Sequence, residues 1–340
     1  MKIACDHFNS KLLAQSKITP SVVYNFKNTT EIFDIVVAGW QPIHTYIRKH
    51  ENNLKNSLFI VSQYSDASHN RGIAGIIATY NKTNDANNKL ITIGDGVSHY
   101  ANHIISPWSR FFWMHNNGYI SPWEEKTHWT CLMSRQDVHR DQVEDFFKSH
   151  IEMFDLPNDY VYDGTESLDT MQKYMFRKVL DKRYYHKNSS TWETATHLSW
   201  TDGDLITPYH RSKIELVTET LTDFFFVTEK TVKPIRAGIP FVIVGGHHFL
   251  KRLQQMGFKT FSPWIDESYD KEQDTDTRVR KACESFKDFV YSKDIDHDEI
   301  ARICYHNQQR LKKIVSLFPK WQRRQVKKIE YFVNQYANNQ

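Results

Sequence analysis

The chain has few cysteines, and their spacing suits neither a metal site nor a set of disulfides. The four are Cys5, Cys131, Cys283 and Cys304, and no CxxC pair occurs among them. This scatter argues against a zinc ribbon and against a disulfide scaffold. Free thiols fit the reducing cytosol, so we expect a cytoplasmic protein.

Long apolar runs are also missing. No stretch approaches the roughly 20 apolar residues that a membrane span needs. The N-terminal segment MKIACDHFNSKLLAQ lacks the apolar core of a signal peptide. The 17 histidines show no HExxH or similar spacing, and we find no internal repeat. These absences predict a soluble, intracellular protein without a membrane span.

A strong charge imbalance is absent too. The formal net charge is +4, which is too mild to argue for a nucleic-acid partner by itself. Hydrophobic residues make up 40% and charged residues 25%, an ordinary balance for a soluble globular protein. Because 340 residues exceed what one hydrophobic core usually supports, two domains are expected.

Apolar runs alternate with polar or helical segments along most of the chain. In the first part these runs are residues 33–40, 57–64, 73–80 and 89–95. In the second part, strand candidates are HWTCLMS (128–134), DYVYDG, SKIELVTET, FFFV, IPFVIVGG and FKTF, and the chain is mostly helical from Thr275. Such alternation is typical of α/β folds.

The alternation also sets the expected domain boundaries. We predict an N-terminal α/β domain over residues 1–125, a second α/β domain over 126–300, and C-terminal helices over 301–340 that pack back on the body. Residues 106–125 are aromatic and interrupted by prolines, so they form a linker or a loop that lines a cleft.

The segment TEKTVKPIRAG, between FFFV and IPFVIVGG, has the character of a short helix. Thr228 can act as its N-cap, and Gly238 is suited to its C-terminus. Pro234 lies inside the segment, which predicts a short or bent helix. The whole stretch therefore reads as a loop, a short helix and a strand.

Glu229 and Lys230 then fall in the first turn of that helix. A lysine there opposes the helix dipole unless an anion docks at the same place, and a helix N-terminus with a lysine suits phosphate. A neighbouring glutamate can accept hydrogen bonds from ribose hydroxyls. The alternative is that Glu229 pairs with Lys233 on a solvated face.

The position along the sheet favours a ligand. In open parallel sheets, ligands bind at the carboxyl ends of the strands. TEK follows FFFV and VTET follows IEL, so both are expected at strand ends.

Four segments in the second half of the chain resemble one family, in the same order. They are LMSRQDVHRDQVEDFF, ELVTET, FFFVTEKTVKPIRAGIPFVIVGG and MGFKTFSPWIDESYD, and they fall roughly within residues 128–290. They resemble the α-1,3-fucosyltransferases and related viral and phage glycosyltransferase-like proteins. That family has an F/Y-V-T-E-K step, a short helix and an AG-x-P strand start. Residues 1–125 show no such resemblance.

The resemblance implies a GT-B fold, in which two Rossmann-like domains face each other across a cleft and C-terminal helices close the structure. Residues 1–125 would be the acceptor domain and 126–300 the donor domain. The implied activity is glycosyl transfer, hexosyl or fucosyl, from a nucleotide-diphosphate sugar to a hydroxyl acceptor. It would be inverting and independent of metal, with the sugar nucleotide as co-substrate and no further cofactor.

The same resemblance suggests which residues hold the donor. Glu229 would bind the ribose and Lys230 the phosphates, beside Thr228 at the helix start. Arg135 or Arg140 would be a further phosphate contact, since a planar guanidinium suits phosphate oxygens.

One departure from the family pattern leaves the donor open. Glu219 matches the acidic residue of the family's FEN element and would help position the donor. Thr220 replaces the asparagine of that element, so the sugar and the base are not assigned.

An inverting transfer needs a carboxylate that accepts the proton of the acceptor hydroxyl. Asp95, after the apolar run 89–95 and before a glycine, is the candidate from the first domain. Asp66 is equally placed by that logic, and either can instead be a turn residue. Glu124 and Glu125 are weaker candidates.

The remaining motifs have structural alternatives. TDGD (201–204) has the spacing of a DxD metal motif, but a turn in a polar loop explains it better. WIDESYD is expected to be a structural loop. The basic C-terminal helix places Val326, Ile329, Phe332, Val333 and Tyr336 on one face, which predicts docking on the protein or, alternatively, contact with an anionic membrane or DNA.

Other functions on the same scaffold remain open at this point. One is a catalytically repurposed nucleotide-sugar-binding protein, and another is an epimerase. The acceptor can be a glycan, a protein glycan or a modified nucleobase, which would make the enzyme a DNA-modifying glycosyltransferase. The modest net charge does not favour nucleic acid as the main partner.

Overall fold

The chain has an α/β fold built on parallel sheets. The computed structural model describes residues 2–5, 17–18, 20, 22–23, 31–38, 40–50, 53–54, 56–62, 77–79, 81–83, 86–94, 103–105, 126–133, 137–162 and 207–338. The chain divides into two compact units, residues 1–110 with 316–340 and residues 111–315. The boundaries expected at residues 125 and 300 stay a prediction.

The first unit holds a six-stranded sheet in which every described pairing is parallel. Its strands are β1 (Ile3–Cys5), β2 (Val22–Val23), β3 (Ile35–Ala38), β4 (Leu58–Ser62), β5 (Lys89–Gly94) and β6 (His103–Ile105). Their order is β2-β1-β3-β4-β5-β6, and helix α1 (Trp40–His50) connects β3 to β4. The strands predicted near 33–40, 57–64 and 89–95 are confirmed.

Both faces of this sheet are buried because its strands alternate their apolar side chains. One face forms a cluster with α1 through Ala4, Val36 and Phe59. The described part of the apolar run 73–80 is helical at residues 77–79 rather than extended. Ile77 joins that same cluster, so the described residues of this run supply an apolar side chain to the core from a helical turn.

The opposite face of the first sheet is covered by the end of the chain. Val326, Ile329, Val333 and Tyr336 are buried in one cluster with the side chains of β1, β3, β4 and β5. The spacing of these four residues matches the helical repeat. The apolar face predicted for the C-terminal helix therefore docks on the N-terminal sheet.

The second unit holds a four-stranded parallel sheet. Its strands are β7 (His128–Met133), β8 (Asn158–Tyr162), β9 (Ser212–Thr218) and β10 (Phe241–Val244), in the order β10-β9-β7-β8. Its helices are α2 (Val138–Ser149), α3 (Thr207–Arg211), α4 (Glu229–Ala237), α5 (Phe249–Gln255) and α6 (Thr275–Tyr291), with 3-10 helices at Ile151–Asp155 and Glu267–Lys271. Helix α7 (His297–Asn338) begins in this unit and continues into the first unit from residue 316. These four strands were predicted, and they are confirmed.

The core of the second unit is aromatic. Trp129 on β7 stacks on Phe147 of α2 at 5.1 Å between ring centroids and meets Phe286 of α6 edge-on at 5.9 Å. Its indole nitrogen donates to the Met153 carbonyl at 3.0 Å, which satisfies the polar end of a buried ring. Much of the aromatic content of this unit thus fills a core.

Two of the predicted strands do not form. FFFV (224–227) lies outside the sheet, although its residues 225–227 are buried, and the Phe225 ring packs against Phe249 at 4.8 Å between centroids. FKTF (258–261) is also not a strand, because the Asn307 side chain takes up both the amide and the carbonyl of Lys259 at 2.8 and 2.9 Å. In both segments apolar burial occurs without a neighbouring strand.

No helix of the described segments combines the length and the hydrophobicity of a bilayer span. Helix α7 has the length, but basic residues recur along its outer side.

Docking of the C-terminal helix makes a prediction for stability. Ile329 is fully buried, so Ile329→Ala is expected to lower the free energy of unfolding by about 2–4 kcal/mol through lost burial and a cavity. Urea denaturation followed by circular dichroism measures this. Lys328→Ala, at the neighbouring exposed position, is the control and should change it by less than about 0.5 kcal/mol. Equal effects of the two substitutions would mean that the helix is not docked.

Candidate functional site

The candidate site lies at the carboxyl end of the second sheet. The chain runs from β7 to β8 on one side and then returns to place β9 on the other side of β7. In parallel α/β sheets, ligands bind in the crevice where successive connections diverge in this way. The segments that leave this point lead into α2 and α4.

The start of α4 has the caps that its sequence predicts. Thr228 accepts a hydrogen bond from the Lys230 amide at 3.3 Å, and Gly238 ends the helix in the left-handed region at φ 65°. A residue with a side chain is strained at that φ. Pro234 lies inside a helix of nine residues, so the predicted short helix is confirmed.

The Glu219 carboxylate fixes the start of α4 from below. This side chain is fully buried and accepts from the Thr228 amide at 3.0 Å and the Thr228 hydroxyl at 2.5 Å. The Thr231 hydroxyl donates to it at 2.5 Å. A buried carboxylate needs such donors to offset its loss of water. In the structure Glu219 therefore positions the helix N-terminus.

Glu229 and Lys230 form an ion pair at the first turn of α4. Lys230 Nζ lies 2.9 Å from Glu229 Oε1, and each side chain is only 17% exposed. Lys230 Nζ also donates to the Thr220 hydroxyl at 3.3 Å. The residue that departs from the family pattern thus contacts the lysine proposed to hold phosphate.

The charge state of this pair is set by its surroundings. Burial acts to raise the pKa of Glu229, but Lys230, Lys233 and the local hydrogen bonds outweigh it and lower the pKa to about 2. Glu229 is therefore a carboxylate at neutral pH. A mostly buried pair is not the solvated surface pair of the alternative interpretation.

The start of α2 meets the end of β9 through two side chains. His139 Nε2 lies 2.8 Å from the Glu219 carbonyl; because a carbonyl only accepts, this nitrogen carries the proton. Burial and the nearby Arg140 lower the pKa of His139. The Arg140 guanidinium lies against the carbonyls of Thr218 and Glu219 at 3.4 and 3.5 Å and is 2% exposed.

A second buried acidic side chain, that of Glu215, lies beneath α4. Glu215 of β9 is 3% exposed and accepts from the Tyr209 hydroxyl at 3.1 Å. Burial raises the pKa of Glu215 to about 8, against the attraction of Lys233 and the Tyr209 hydrogen bond. Its second carboxyl oxygen has no hydrogen-bond partner among the described residues, which suits a protonated, neutral acid at pH 7.

Arg278 of α6 links three loop segments of the second unit through their backbone carbonyls. Its guanidinium donates to the carbonyls of Thr222 at 2.8 Å, Gly245 at 2.9 Å and Glu272 at 2.6 Å. These carbonyls belong to the segments after β9, after β10 and before α6. Arg278 is 2% exposed, so it holds the loop that precedes α4 from the inside.

The structure gathers part of the predicted site. Arg140, Glu219, Thr228, Glu229 and Lys230 all lie at the carboxyl end of the second sheet. TEK follows a buried irregular segment rather than a strand, whereas VTET does end β9. The predicted residues Asp95 and Arg135 lie outside the described residues, as do Asp66, Glu124, Glu125 and the TDGD segment.

The acidic residues of WIDESYD act as structural acceptors. Asp270 accepts from the amides of Leu250 and Lys251 at 2.8 and 3.1 Å, which caps the start of α5. Glu267 accepts from the Phe261 amide at 2.8 Å, and Asp266 caps its own 3-10 helix. Among the described residues, no three His, Cys, Asp or Glu side chains are grouped to hold a metal ion.

Sequence reasoning missed three residues of this region. Glu215 could have been found, because an acid in the apolar run KIELV is unusual for a buried strand. His139 and Arg278 carried no such signal, since polar residues near helix starts are common. Their roles depend on carbonyls far away in the chain.

Comparison with known proteins finds no matching family model and no matching curated protein. Among solved structures, the chain is similar to the crystal structure of an α1,3-fucosyltransferase with GDP-fucose. The TM-score is 0.39 and the identity 11%, over 92% of this chain and 90% of that one. A likeness at this level does not assign a function.

The Glu219 network predicts a loss of stability on a nearly isosteric change. Glu219→Gln replaces one acceptor oxygen by a donor, so at least one donor of Thr228 or Thr231 loses its partner. We expect the free energy of unfolding to fall by about 1–3 kcal/mol in urea denaturation. Glu152→Gln, at an exposed position, is the control and should have little effect. An unchanged Glu219→Gln protein would contradict the network.

The raised pKa of Glu215 predicts that the stability of the protein depends on pH. Its pKa is raised to about 8 in the folded protein, so between about pH 4.5 and 8 the unfolded chain releases a proton that the folded protein keeps. Stability should therefore fall as pH rises through this window, by about 4–5 kcal/mol at about 1.4 kcal/mol for each pKa unit. Glu215→Gln should remove this contribution.

Urea denaturation of both proteins across this pH range isolates the effect of Glu215. His139 and the other titrating groups contribute to both curves and cancel in the difference. Parallel curves for the wild type and Glu215→Gln would show that Glu215 is ionised in the folded protein.

Proposed function

We propose that this protein is a glycosyltransferase that binds a nucleotide-diphosphate sugar at the start of α4. The observation that carries the proposal is the placement of Lys230. It lies in the first turn of a nine-residue helix, at the carboxyl end of a parallel sheet and beside the point where the connections diverge. A helix N-terminus with a lysine at this place suits a diphosphate.

The ion pair of Glu229 and Lys230 provides both recognition groups. A diphosphate offers Lys230 a more highly charged partner than one carboxylate. When Lys230 turns to the phosphates, the Glu229 oxygens become free to accept hydrogen bonds from ribose hydroxyls. With Lys230 beside it, the pKa of Glu229 is lowered to about 2, so Glu229 is ionised before the ligand binds.

The residues beneath the pair act by positioning. Glu219 and Thr228 hold the first turn of α4 in place, so the backbone of that turn needs little reorganisation on binding. Arg140 and His139 hold the end of β9 through the Glu219 carbonyl. Preorganisation of this kind lowers the entropic cost of binding.

The proposed reaction is a displacement at the anomeric carbon of the donor sugar. The acceptor hydroxyl oxygen forms the new bond while the bond to the diphosphate breaks. Lys230 and the helix N-terminus stabilise the negative charge that develops on the leaving diphosphate. The hydroxyl proton passes to a general base, for which Asp95 is the candidate from the sequence.

The stereochemistry, the metal independence, the sugar and the acceptor are proposed from the family resemblance described above. It favours an inverting, metal-independent transfer of a hexosyl or fucosyl group to a carbohydrate hydroxyl. Arg135 is proposed as a further phosphate ligand on the same basis. Thr220, which contacts Lys230 at 3.3 Å, is the residue at which this chain departs from the family pattern.

A binding experiment tests the role of Lys230. We expect one nucleoside diphosphate, or its sugar, to raise the melting temperature by mass action. Lys230→Ala should lower the affinity for that ligand about 10- to 100-fold, which is the usual cost of losing a charged hydrogen bond to phosphate. Thermal shift over a panel of bases, followed by titration calorimetry, measures both effects.

The control is Lys293→Ala, which removes the same charge at an exposed position of the second unit. It should leave the affinity unchanged. Binding that survives Lys230→Ala, or no binding of any nucleotide to folded protein, would contradict the proposed site.

A turnover assay then distinguishes an active glycosyltransferase from a repurposed binding protein and from a DNA-modifying enzyme. Release of the nucleoside diphosphate from the bound donor supports an enzyme, and its loss in Asp95→Asn without loss of binding supports Asp95 as the base. Tight donor binding without transfer to any hydroxyl would identify a repurposed binding protein, and transfer to modified DNA would identify the nucleobase acceptor.

A further inference from the structure

The C-terminal part of α7, residues 316–338, has two opposite faces. One face docks on the first sheet through Val326, Ile329, Val333 and Tyr336. Their 3-4-3 spacing follows the helical repeat. The other face of the same segment therefore points away from the core of the first unit.

That outward face carries positive charge with an apolar side chain at each end. We define the cationic stripe as Leu317, Lys320, Arg324, Lys327 and Tyr331, which follow one another at steps of three or four residues. Leu317 is 49% and Tyr331 59% exposed, and the three basic residues are exposed. Arg323 and Lys328 flank the stripe and are also exposed.

The charge of the stripe is not neutralised by its surroundings in the described part of the chain. Between Glu299 and Glu330 the sequence contains Lys and Arg but no Asp or Glu. No ion pair recorded among the described residues involves the basic side chains of the stripe or its flanks. The carboxylate of Glu330 accepts from the Lys17 amide at 2.7 Å.

We propose that the cationic stripe binds the anionic surface of a lipid bilayer. Lys320, Arg324 and Lys327 would lie against lipid headgroups, where each basic residue contributes about fivefold to partitioning. Leu317 and Tyr331 lie about 21 Å apart along the helix. Their apolar side chains would enter the headgroup region, as in helices that lie in the membrane interface.

The apolar ends favour a bilayer over nucleic acid. Leu317 and Tyr331 are exposed among the basic residues, where a phosphate backbone offers an aliphatic side chain nothing to pack against. A membrane interface accepts both kinds of side chain at once. The docked opposite face keeps the helix on the surface, so the contact is peripheral. This inference stands apart from the proposed glycosyl transfer.

Vesicle sedimentation with the full chain tests the proposal. We expect binding to vesicles with about one-third phosphatidylserine, and weakening of that binding as salt rises from about 0.1 to 0.5 M. Pure phosphatidylcholine vesicles should not bind. The triple variant Lys320→Gln, Arg324→Gln, Lys327→Gln should bind about 100-fold more weakly, the product of three charge losses.

The matched control removes three exposed basic residues elsewhere in the first unit: Arg48→Gln, Lys49→Gln, Lys82→Gln. This control variant has the same net charge as the triple stripe variant, and it should bind phosphatidylserine vesicles as tightly as the wild type does. Circular dichroism melting shows that each variant is folded. Equal losses in the two triple variants would mean general charge attraction and would overturn the assignment to the stripe.

A second pair of substitutions separates the bilayer from nucleic acid. Leu317→Ser with Tyr331→Ser keeps the charge and should weaken vesicle binding at least about tenfold, by loss of apolar burial. No binding to phosphatidylserine vesicles at low salt would overturn the proposal. So would tight binding to a short DNA duplex that this double variant leaves unchanged.

Discussion

The candidate site depends on one buried carboxylate. Glu219 follows β9, is fully shielded from water, and takes three hydrogen bonds from Thr228 and Thr231. These bonds fix the start of α4 relative to the sheet. The carbonyl of the same residue receives His139 and Arg140 from the start of α2. One residue thus ties together both helices that begin at the carboxyl end of the sheet, and Lys230 takes its place from this arrangement.

Acidic groups in this small region serve opposite purposes because their surroundings differ. Glu229 is paired with Lys230 and is held ionised, whereas Glu215 is buried beneath the helix and is held neutral. Glu219 lies between them in sequence and is satisfied by neutral donors. The charged acceptor, Glu229, is therefore partly exposed to solvent, whereas the uncharged acid, Glu215, is buried. This division suits a site that recognises a polar ligand on one side and rests on a dry core on the other.

The long helix α7 shows how one element can meet two demands. Its apolar repeat covers the open face of the first sheet, so the helix adds to the core of the first unit. The cationic stripe on its outward face then carries only basic charges, with exposed Leu317 and Tyr331 at its ends. Docking on the protein and contact with an anionic surface were alternatives for the sequence pattern. The structure makes them compatible, because they use opposite faces.

The sequence by itself determined the local features: Thr228 as a cap, Gly238 as a stop, the four strands of the second sheet and the apolar face of the C-terminal helix. These follow from dihedral preferences and from periodicity, which act over a few residues. It overpredicted strands at FFFV and FKTF, because apolar runs report burial and not the presence of a partner strand. Only the tertiary structure decided that Asn307 replaces that partner, that Glu215 lies neutral beneath α4, and that His139 and Arg278 hold distant carbonyls. Those contacts join residues tens of positions apart, and no local pattern in the chain specifies them.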